Sequence, residues 1–348
     1  MIVFTSSSIG AKRSTGLIRR FPVKRNKSGA VRGYFSYLSF DIPLLFRLLF
    51  RKSADIYVSE GPPTTGVVTK IVASLKRKHF VFYAADLMSA AAQGTGVTGP
   101  VVSFLKVLEK FCFTGKRTSV LASTSEITAA IQQVAFQKAK VHEVGTGIDT
   151  AIFKPEGESV EETGHPYFIY AGTASEVHGA VLFAEVFEKI SIQYPDWKLY
   201  MFVQGTEEDQ LHKIAARCAS LEIRSLLSPE EIARWYRGAA FGLASVKPGA
   251  GYDFAFATKA LAMLATGLPV IYAGVGPIGE VIQQNNFGKS VAWQAAALKD
   301  AFAKAMTEPR LGLDERAIMA KWTESNFSQR AVAQKSVLAI EDWVQNTP

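Results

Sequence analysis

The sequence predicts an α/β protein with parallel sheets, and three observations lead to this class. Short β-rich runs alternate with helical stretches from end to end, which is typical of parallel strands joined by crossover helices. Two strand-like runs end in glycine, at Gly172 and Gly205. The alternation also restarts after an acidic stretch without periodicity at 155–165. We therefore expect two doubly wound units that bind ligands at the carboxyl ends of their strands.

The elements of the first half follow from β-rich and helical runs. The predicted strands are IVFTS, DIYVS, HFVFYA, SVLAS and KVHEV. Helical patterns fill most of the intervals between them, namely IPLLFRLLF, TTGVVTKIVASL, VVSFLKVLEKFCF and SEITAAIQQVAF. This order predicts an N-terminal Rossmann-like domain over residues 1–154, followed by a linker at 155–165.

The second half repeats the pattern. YFIYAG, KLYMFVQG and AAFGLASV are predicted strands, and Ala180–Ser191 is a predicted amphipathic helix. Ser228 and Glu231 form a capping box that opens another helix. We expect a second domain over 166–327 and a final helix at 328–348 that packs back toward the N-terminal domain.

Length and cysteine content limit the class of protein. A chain of 348 residues is long enough for two domains with full cores. Cys112 and Cys218 form neither a disulfide framework nor a metal cluster, which fits a reducing cytoplasm. The start MIVFTSSSIG lacks the pattern of a signal peptide, and no apolar run has the length of a membrane span. No metal site is expected.

Positive charge is concentrated at the start of the chain. The net charge is +8. Residues 1–52 contain the single acid Asp41 and the basic residues Lys12, Arg13, Arg19, Arg20, Lys24, Arg25, Lys27, Arg32, Arg47, Arg51 and Lys52. This block indicates an anionic partner, either phosphate, a bilayer surface or nucleic acid. Nucleic acid is the weakest of the three, because no recognised binding motif accompanies the charge. A solvated loop is the alternative.

The segment DIPLLFRLLFRK joins an apolar helix to basic residues. It is too short to span a bilayer but could lie on an anionic surface. Alternatively, its leucines pack under the sheet. We expect the leucines to pack and the arginines to provide surface attraction; the leucines are Leu44, Leu45, Leu48 and Leu49.

The most informative stretch is FATKALAMLATGLPVIYAGVGPIGEVI, at 256–282. Thr258 is a predicted N-cap, and Lys259 lies in the first turn of the helix. Gly267 is a natural residue just past the helix end, and Pro269 prevents its continuation. A helix N-terminus with a lysine predicts a diphosphate site, because free N–H groups and the positive dipole end attract anions. A plain packing helix is the alternative.

Several segments in order resemble glycosyltransferase family 4. They are VHEVGTGIDTAIFKP, YFIYAGTASEVHGAVLFAEVF, KLYMFVQGTEEDQL, LLSPEEIARWYRGAAFGLASVKPG and ATKALAMLATGLPVI. In the first half, RRFPVKRNKSGAVRGYFSYLSF, DIYVSEGPP and FVFYAADLMSAAAQGTGV resemble the fucosamine-type transferases that build bacterial O antigens and colanic-acid-like polymers. The resemblance covers nearly the whole chain.

This resemblance implies a fold, a reaction and a location. The fold is GT-B, with two Rossmann-like domains facing across a cleft. The reaction is retaining transfer of a sugar from a UDP- or GDP-linked donor, with no cofactor and no obligatory metal. The donor binds the C-terminal domain and a saccharide or polyprenyl-diphosphate-linked acceptor binds the N-terminal one. The expected location is cytoplasmic, peripheral on the inner face of the membrane, and the oligomeric state stays open.

The resemblance also assigns residues to the donor. Lys259 corresponds to a diphosphate contact, and Thr173 and His178 stand where most members have a phosphate-binding Arg and Lys. Ala262 stands where a glutamate normally binds the donor ribose. Loss of that contact should weaken donor binding by ~1–3 kcal/mol. The first glutamate of the family pair would fall at Phe254, so that the adjacent Asp253 is the candidate carboxylate.

Further candidates are glycines and one acceptor-side acid. Gly172 and Gly205 match strand-end glycines that let the backbone approach the ligand, and Gly276, in the last Gly-rich turn, is a further donor-binding candidate. Asp86 follows the strand HFVFYA and could orient or deprotonate an acceptor hydroxyl, with a loop-capping role as the alternative. The family's first βα unit, about 35–40 residues, has no counterpart before MIVFTSSS. A late start, a truncated gene or a replaced unit would each explain this.

Two other functions compete with sugar transfer. A catalytically impaired GT-B protein, acting as a binding or partner subunit or representing a truncated gene product, is favoured by Ala262 and by the missing unit. Intact strand patterning and capping argue against a decayed sequence. A nicotinamide oxidoreductase is discounted, because no G-x-G-x-x-G follows a strand.

Overall fold

The computed structural model describes residues 1–7, 17–25, 34–94, 96–97, 99–160 and 164–346. The chain divides into two compact units. The first unit comprises Met1–Ser89, Thr98–Glu143 and Leu338–Pro348. The second comprises Ala90–Val97 and Val144–Val337.

The region up to residue 143 contains a parallel strand pair and a four-stranded parallel sheet of order β3-β4-β5-β6. Its elements are β1 (Val3–Ser6), β2 (Ile18–Phe21), α1 (Tyr34–Leu49), β3 (Ile56–Glu60), α2 (Pro63–Leu75), β4 (His79–Ala84), α3 (Met88–Gly94), α4 (Gly99–Phe113), β5 (Thr118–Ala122), α5 (Ser125–Val134) and β6 (Val141–Glu143).

Central strands of this sheet are buried on both faces. In β4, Phe80, Val81 and Phe82 are nearly inaccessible to solvent, as expected for a parallel strand covered by helices on each side. The predicted strand HFVFYA coincides with β4. Thr124 begins α5 by accepting a hydrogen bond from the Ile127 N–H, which satisfies one of the free amides of the first turn.

Two arginines of the basic block fasten β1 and β2 to α1. The rings of Phe4 and Phe21 stack with centroids 5.9 Å apart. The Arg47 guanidinium lies 3.7 Å from the Phe21 centroid, and that of Arg51 lies 5.7 Å from the Phe4 centroid. These two cations therefore have a packing role that the sequence analysis did not predict. Four other members of the block, Lys12, Arg13, Lys27 and Arg32, lie outside the described residues.

The second unit is built on a six-stranded parallel sheet of order β12-β11-β10-β7-β8-β9. The strands are β7 (Tyr167–Thr173), β8 (Lys198–Gln204), β9 (Leu221–Ser225), β10 (Phe241–Val246), β11 (Val270–Gly274) and β12 (Gly288–Val291). The helices after residue 165 are α6 (Ala180–Ile190), α7 (Glu208–Ala215), α8 (Pro229–Gly238), α9 (Thr258–Ala265), α10 (Pro277–Gln284), α11 (Ala295–Thr307), α12 (Leu313–Phe327) and α13 (Gln329–Gln345).

The strand order reverses direction beside β7. β8 and β9 extend the sheet on one side of this strand, and β10, β11 and β12 extend it on the other. In open α/β sheets, the crevice at the carboxyl ends of the strands beside such a reversal is the usual ligand site. Aromatic cores cover the two faces of the sheet, with Phe168 and Phe302 in one and Tyr167 and Trp235 in the other.

The ends of α9 confirm one prediction and correct another. Gly267 follows the helix with a positive φ of 69°, which is the predicted left-handed position past the C-cap. Thr258 is the first helical residue and not the N-cap, which is Ala257. The prediction was wrong because Ala257 has the non-helical backbone, with ψ 89°, and this N-cap residue makes no side-chain capping hydrogen bond. The predicted capping box of Ser228 and Glu231 is present at α8.

The stretch predicted as a linker is held against α8 over residues 154–160. The guanidinium of Arg237 donates to the carbonyl oxygens of Glu158 at 2.6 Å and Lys154 at 3.2 Å. The Val160 N–H donates to the Arg234 carbonyl at 3.3 Å. At the other end of the chain, α13 is shared between the units, with Leu338 as the first residue assigned to the first unit.

Candidate functional site

Lys259 lies where the carboxyl end of β7 meets the start of α9. Its Nζ donates a hydrogen bond to the hydroxyl of the buried Tyr170 at 2.8 Å and lies 4.4 Å from the centroid of that ring. Gly172 is adjacent, since a Cβ placed there would lie 3.4 Å from Lys259 Cε. The predicted residues Gly172 and Lys259 are therefore brought together at the reversal of strand order.

Burial lowers the pKa of Lys259 to about 7. Water is removed from the ammonium, and the hydroxyl of Tyr170, its one hydrogen-bond partner among the described residues, is neutral. A charged amine in such surroundings is costly unless an anion compensates it. An anion bound at this position would therefore raise the pKa and restore the charge.

His178 belongs to the same group of residues. Burial and the nearby Lys259 lower the pKa of its imidazole to about 4, so the ring is neutral at pH 7. Its Nδ1 lies 3.1 Å from Ser175 Oγ. Its carbonyl accepts a hydrogen bond from the Ser245 hydroxyl, which ties the loop after β7 to the end of β10. His178 can thus offer a neutral hydrogen bond but no charge.

Thr173 is exposed at the end of β7. Its carbonyl oxygen accepts a 2.9 Å hydrogen bond from the Tyr170 hydroxyl. Tyr170 therefore donates to Thr173 and accepts from Lys259, so that one side chain links the strand end to the start of α9. Tyr170 was not predicted from the sequence, because its role depends on a contact 89 residues away along the chain.

Two helices start near this edge of the sheet, and their N-termini differ. At α6, the backbone N–H groups of Ala180 and Val181 bind the carboxylate of Glu207, and burial raises the pKa of that acid. At α9, no side-chain cap is present. Glu207 therefore already places an acid at α6, whereas α9 leaves its first N–H groups uncapped beside Lys259.

Gly205 and Gly276 have packing roles in the structure. A Cβ at Gly205 would lie 2.2 Å from the Ala174 carbonyl oxygen, and its φ of +150° also favours glycine. A Cβ at Gly276 would lie 2.9 Å from the Ala255 carbonyl oxygen. Both positions therefore allow one backbone segment to approach another, and their proposed approach to a ligand stays a prediction.

The candidate carboxylate Asp253 and the predicted ribose position Ala262 have other contacts here. Asp253 is exposed, and its two carboxylate oxygens accept hydrogen bonds from the Gly249 N–H at 3.0 and 3.2 Å. Ala262 is only 4% exposed and belongs to the apolar core under the sheet. Neither residue has a described hydrogen bond to Lys259.

Asp86 lies just past β4 in the first unit. Although the residue is exposed, the protein around its carboxyl raises the pKa. A second acid, Glu109, is buried and accepts hydrogen bonds from the Ser89 N–H at 2.9 Å and the Ser89 hydroxyl at 2.5 Å. Burial is the main cause that raises the pKa of Glu109, and Asp86 adds to the effect.

Sequence reasoning missed Glu109, although a signal was available. It shares one face of α4 with the buried residues Leu105 and Cys112, at helical spacings of four and three. An acid on such a face needs hydrogen-bond donors, and Ser89 supplies them. The signal was the position of a carboxylate within an apolar stripe.

In the described ranges, no group of three or more His, Cys, Asp or Glu residues could hold a metal ion. Cys112 and Cys218 are free and buried, and burial raises the pKa of Cys112 to about 12. Within the same ranges, no helix is long and apolar enough to cross a membrane. Independence from metal stays a prediction.

Comparison with solved structures gives the fold. Sucrose-phosphate synthase from Thermosynechococcus elongatus matches with a TM-score of 0.75 at 12% identity, covering 98% of this chain and 88% of that one. HepE from Anabaena in complex with UDP matches with a TM-score of 0.70 at 12% identity, covering 93% of this chain and 86% of that one. WaaG, a glycosyltransferase involved in lipopolysaccharide biosynthesis, matches with a TM-score of 0.67 at 14% identity, covering 94% of this chain and 88% of that one.

The sequence comparisons concern mainly the second unit. None of the curated proteins matches the chain. The family model of glycosyl transferases group 1 matches residues 165–308, which contain β7 to β12 and Lys259. The predicted parallel α/β architecture is confirmed, and the specific fucosamine-type subgroup stays a prediction. The chain thus has a GT-B fold, and its residues 165–308, which include Lys259, are similar to the glycosyl transferases group 1.

Proposed function

We propose that this chain transfers a sugar, with retention, from a UDP- or GDP-linked donor to a saccharide acceptor. The observation that carries the proposal is the position of Lys259. The half-buried Lys259, whose amine has a neutral hydrogen-bond partner, lies at the N-terminus of α9, near the reversal of strand order. Together, these groups offer the positive charge and the N–H donors that a diphosphate requires.

The same groups suit the chemistry of donor cleavage. When the bond from the sugar to the diphosphate breaks, its electron pair remains on the diphosphate oxygen, which gains negative charge. Lys259 and the first N–H groups of α9 would stabilise that charge. His178, neutral because of its lowered pKa, would add a hydrogen bond. The new bond forms to an acceptor hydroxyl, whose proton must be removed.

Asp86 is the group that we assign to the acceptor hydroxyl, as a proton acceptor or an orienting group. Its raised pKa makes it a better base than an ordinary aspartate. We propose a lipid-linked saccharide as the acceptor, used in surface polysaccharide synthesis at the cytoplasmic face of the membrane. The first-half resemblance and the similarity to WaaG, involved in lipopolysaccharide biosynthesis, support this assignment.

Calorimetric titration with UDP, GDP and their sugars tests the proposal. We expect one of the nucleotides to bind the intact chain, and Lys259→Ala to weaken that binding strongly. Lys299→Ala is the matched control, because Lys299 is an exposed lysine of α11 in the same unit. Absence of binding for every nucleotide, or an unchanged affinity of Lys259→Ala, would overturn the proposal.

A catalytically impaired GT-B protein that binds nucleotide as a partner subunit is the second candidate. It is favoured by the burial of Ala262 in the core and by the hydrogen bonds that hold Asp253 to Gly249. Nucleotide binding without sugar release from any donor would support it. Detection of transfer to an acceptor, or of slow donor hydrolysis lost in Lys259→Ala, would exclude it.

The variant Ala262→Glu tests, through protein stability and nucleotide affinity, whether position 262 can still serve the donor site. In the family, a glutamate at this position binds ribose, but here the position is 4% exposed. Burying a larger, ionisable side chain should lower the free energy of unfolding by at least ~2 kcal/mol, without improving nucleotide affinity. Denaturant unfolding and calorimetry measure the two effects. A stable variant with tighter nucleotide binding would show that the position still faces the ribose.

A further inference from the structure

One face of α1 is apolar and exposed. The exposed fractions are 80% for Phe35, 43% for Leu38, 53% for Ile42 and 53% for Phe46. Phe50, just past the helix end, is 87% exposed. Spacings of three and four residues place these side chains on one side of a helix. We call this set of residues the α1 stripe: Phe35, Leu38, Ile42, Phe46 and Phe50.

The opposite face of α1 explains why the α1 stripe points outward. Leu44 and Leu48 are 4% and 8% exposed, and α1 packs against α2 through this side. Asp41 is buried there and accepts a 2.5 Å hydrogen bond from the Thr65 hydroxyl. The orientation of the helix is therefore fixed by its buried face. Of the four leucines expected to pack inward, Leu44 and Leu48 are buried, whereas Leu45 and Leu49 are half-buried. The sequence analysis did not identify the α1 stripe.

The charge of residues 1–52 selects the partner of the α1 stripe. Residues 1–52 contain eleven basic residues and one acid, and that acid, Asp41, is buried. Arg19, Lys24 and Lys52 are exposed in the described part of this region. A second copy of the chain would bring like charges together at the same surface. An anionic lipid surface offers both the opposite charge and an apolar layer for the phenylalanines.

We propose that the α1 stripe docks the first unit onto an anionic lipid bilayer. The helix lies in the plane of the membrane interface, the exposed phenylalanines enter the acyl boundary, and exposed basic residues of the same region, Arg19, Lys24 and Lys52, contact the headgroups. Arg47 and Arg51 have an indirect role, because their contacts with Phe21 and Phe4 hold β1 and β2 beside α1. This docking does not depend on sugar transfer.

Vesicle flotation with the full chain tests the proposal. We expect binding to vesicles of phosphatidylcholine with 30% phosphatidylglycerol, weak binding to phosphatidylcholine alone, and release at high salt, because salt screens the headgroup attraction. The double variant Phe35→Ser with Phe50→Ser should reduce the vesicle-bound fraction at least tenfold. Both side chains are exposed, so the variant should fold, and circular dichroism checks this.

The control is a double variant of matched exposure in the second unit, Ile192→Ser with Leu313→Ser. These side chains are 83% and 85% exposed, and their loss should leave vesicle binding unchanged. Equal losses of vesicle binding in the two double variants would overturn the proposal. Unchanged vesicle binding by Phe35→Ser with Phe50→Ser would also overturn it. A wild-type chain that ignores anionic vesicles but forms dimers abolished by this variant would identify a second copy as the partner and overturn the lipid assignment.

Discussion

Lys70 in the first unit is buried and Lys259 in the second is half-buried, and desolvation lowers the pKa of each. Their partners differ. The Lys70 ammonium donates to the backbone carbonyls of Phe111 and Thr114, at the C-terminal end of α4. The Lys259 ammonium donates to one neutral hydroxyl, that of Tyr170, among the described residues.

This difference separates a structural lysine from a candidate ligand-binding lysine. A helix C-terminus carries partial negative charge and unpaired carbonyls, so Lys70 completes the end of α4. Lys259 lies at a helix N-terminus, where the partial charge is positive and disfavours an ammonium. Only an anion that both the helix and the amine attract would make this arrangement favourable. The lowered pKa alone does not distinguish these two lysines. The sign of the partial charge at the neighbouring helix end does.

Exchange of each lysine for alanine should affect a different property, nucleotide affinity for Lys259 and protein stability for Lys70. The loss of affinity is the largest effect that we expect. Lys259→Ala should weaken nucleotide binding about 100-fold, the equivalent of a charged hydrogen bond of about 2.7 kcal/mol. Lys70→Ala should leave affinity unchanged and lower the free energy of unfolding by about 2 kcal/mol, because two carbonyls lose their donor. Calorimetry and denaturant unfolding measure the two quantities. Equal losses of stability in both variants would contradict the distinction between a structural and a ligand-binding lysine.

The pH dependence of binding should sharpen the assignment of Lys259. With a pKa of about 7 in the free protein, the amine is charged below pH 7 and neutral above it. A bound diphosphate requires the charged form, so binding above pH 7 must take up a proton. Affinity should fall about 25-fold from pH 6.5 to pH 8.5 if the bound amine stays protonated. The diphosphate itself is fully ionised only in the upper part of this range, and titration of Lys259→Ala with the same nucleotide gives the reference slope.

The same lowered pKa has a consequence for stability, with a determined sign. Between pH 7 and 10.5, the unfolded chain keeps a proton on Lys259 that the folded protein has lost. Folded stability should therefore rise with pH in this window. Lys259→Ala should remove that rise, which urea unfolding at several pH values would reveal. An identical slope in the variant would mean that the folded amine retains its ordinary pKa.

Tyr170→Phe should have the smallest effect on nucleotide binding, because it removes one hydroxyl and keeps the ring. Lys259 would lose its neutral acceptor, and the Thr173 carbonyl would lose its donor. We expect about fivefold weaker nucleotide binding, within the range of a neutral hydrogen bond, and a shift of the binding profile toward lower pH. Tyr167→Phe is the control, since its hydroxyl binds the Trp235 carbonyl elsewhere in the same unit. An unshifted profile would show that Tyr170 does not position Lys259.

Much of the fold could be predicted from the sequence, because it depends on local signals. The strand HFVFYA coincides with β4, and the capping box at Ser228 and the glycine after α9 lie where the pattern places them. The error at Thr258 was also local. A threonine before a helix is a common cap, but here the backbone becomes helical one residue earlier.

The site was predictable only in part. Lys259 and Gly172 were identified from their pattern and lie in contact range. Tyr170 and Glu207 were missed because each acts on a residue of another element, and no periodicity in the sequence records such pairs. The α1 stripe was missed for a different reason. Periodicity shows that α1 has an apolar face, but α1 carries apolar residues on both faces, and only the fold decides which is buried.

The carboxylate of Glu207 at the start of α6 has a consequence for the number of anions that the second unit can hold. Because the carboxyl group of Glu207 already accepts hydrogen bonds from the first N–H groups of α6, a second phosphate-bearing molecule would compete with it there. The sheet edge between these two helices should therefore saturate at one equivalent of pyrophosphate, and pyrophosphate should compete directly with the nucleotide. Neutralisation by Glu207→Gln would then be expected to add a second, weaker binding step to the isotherm.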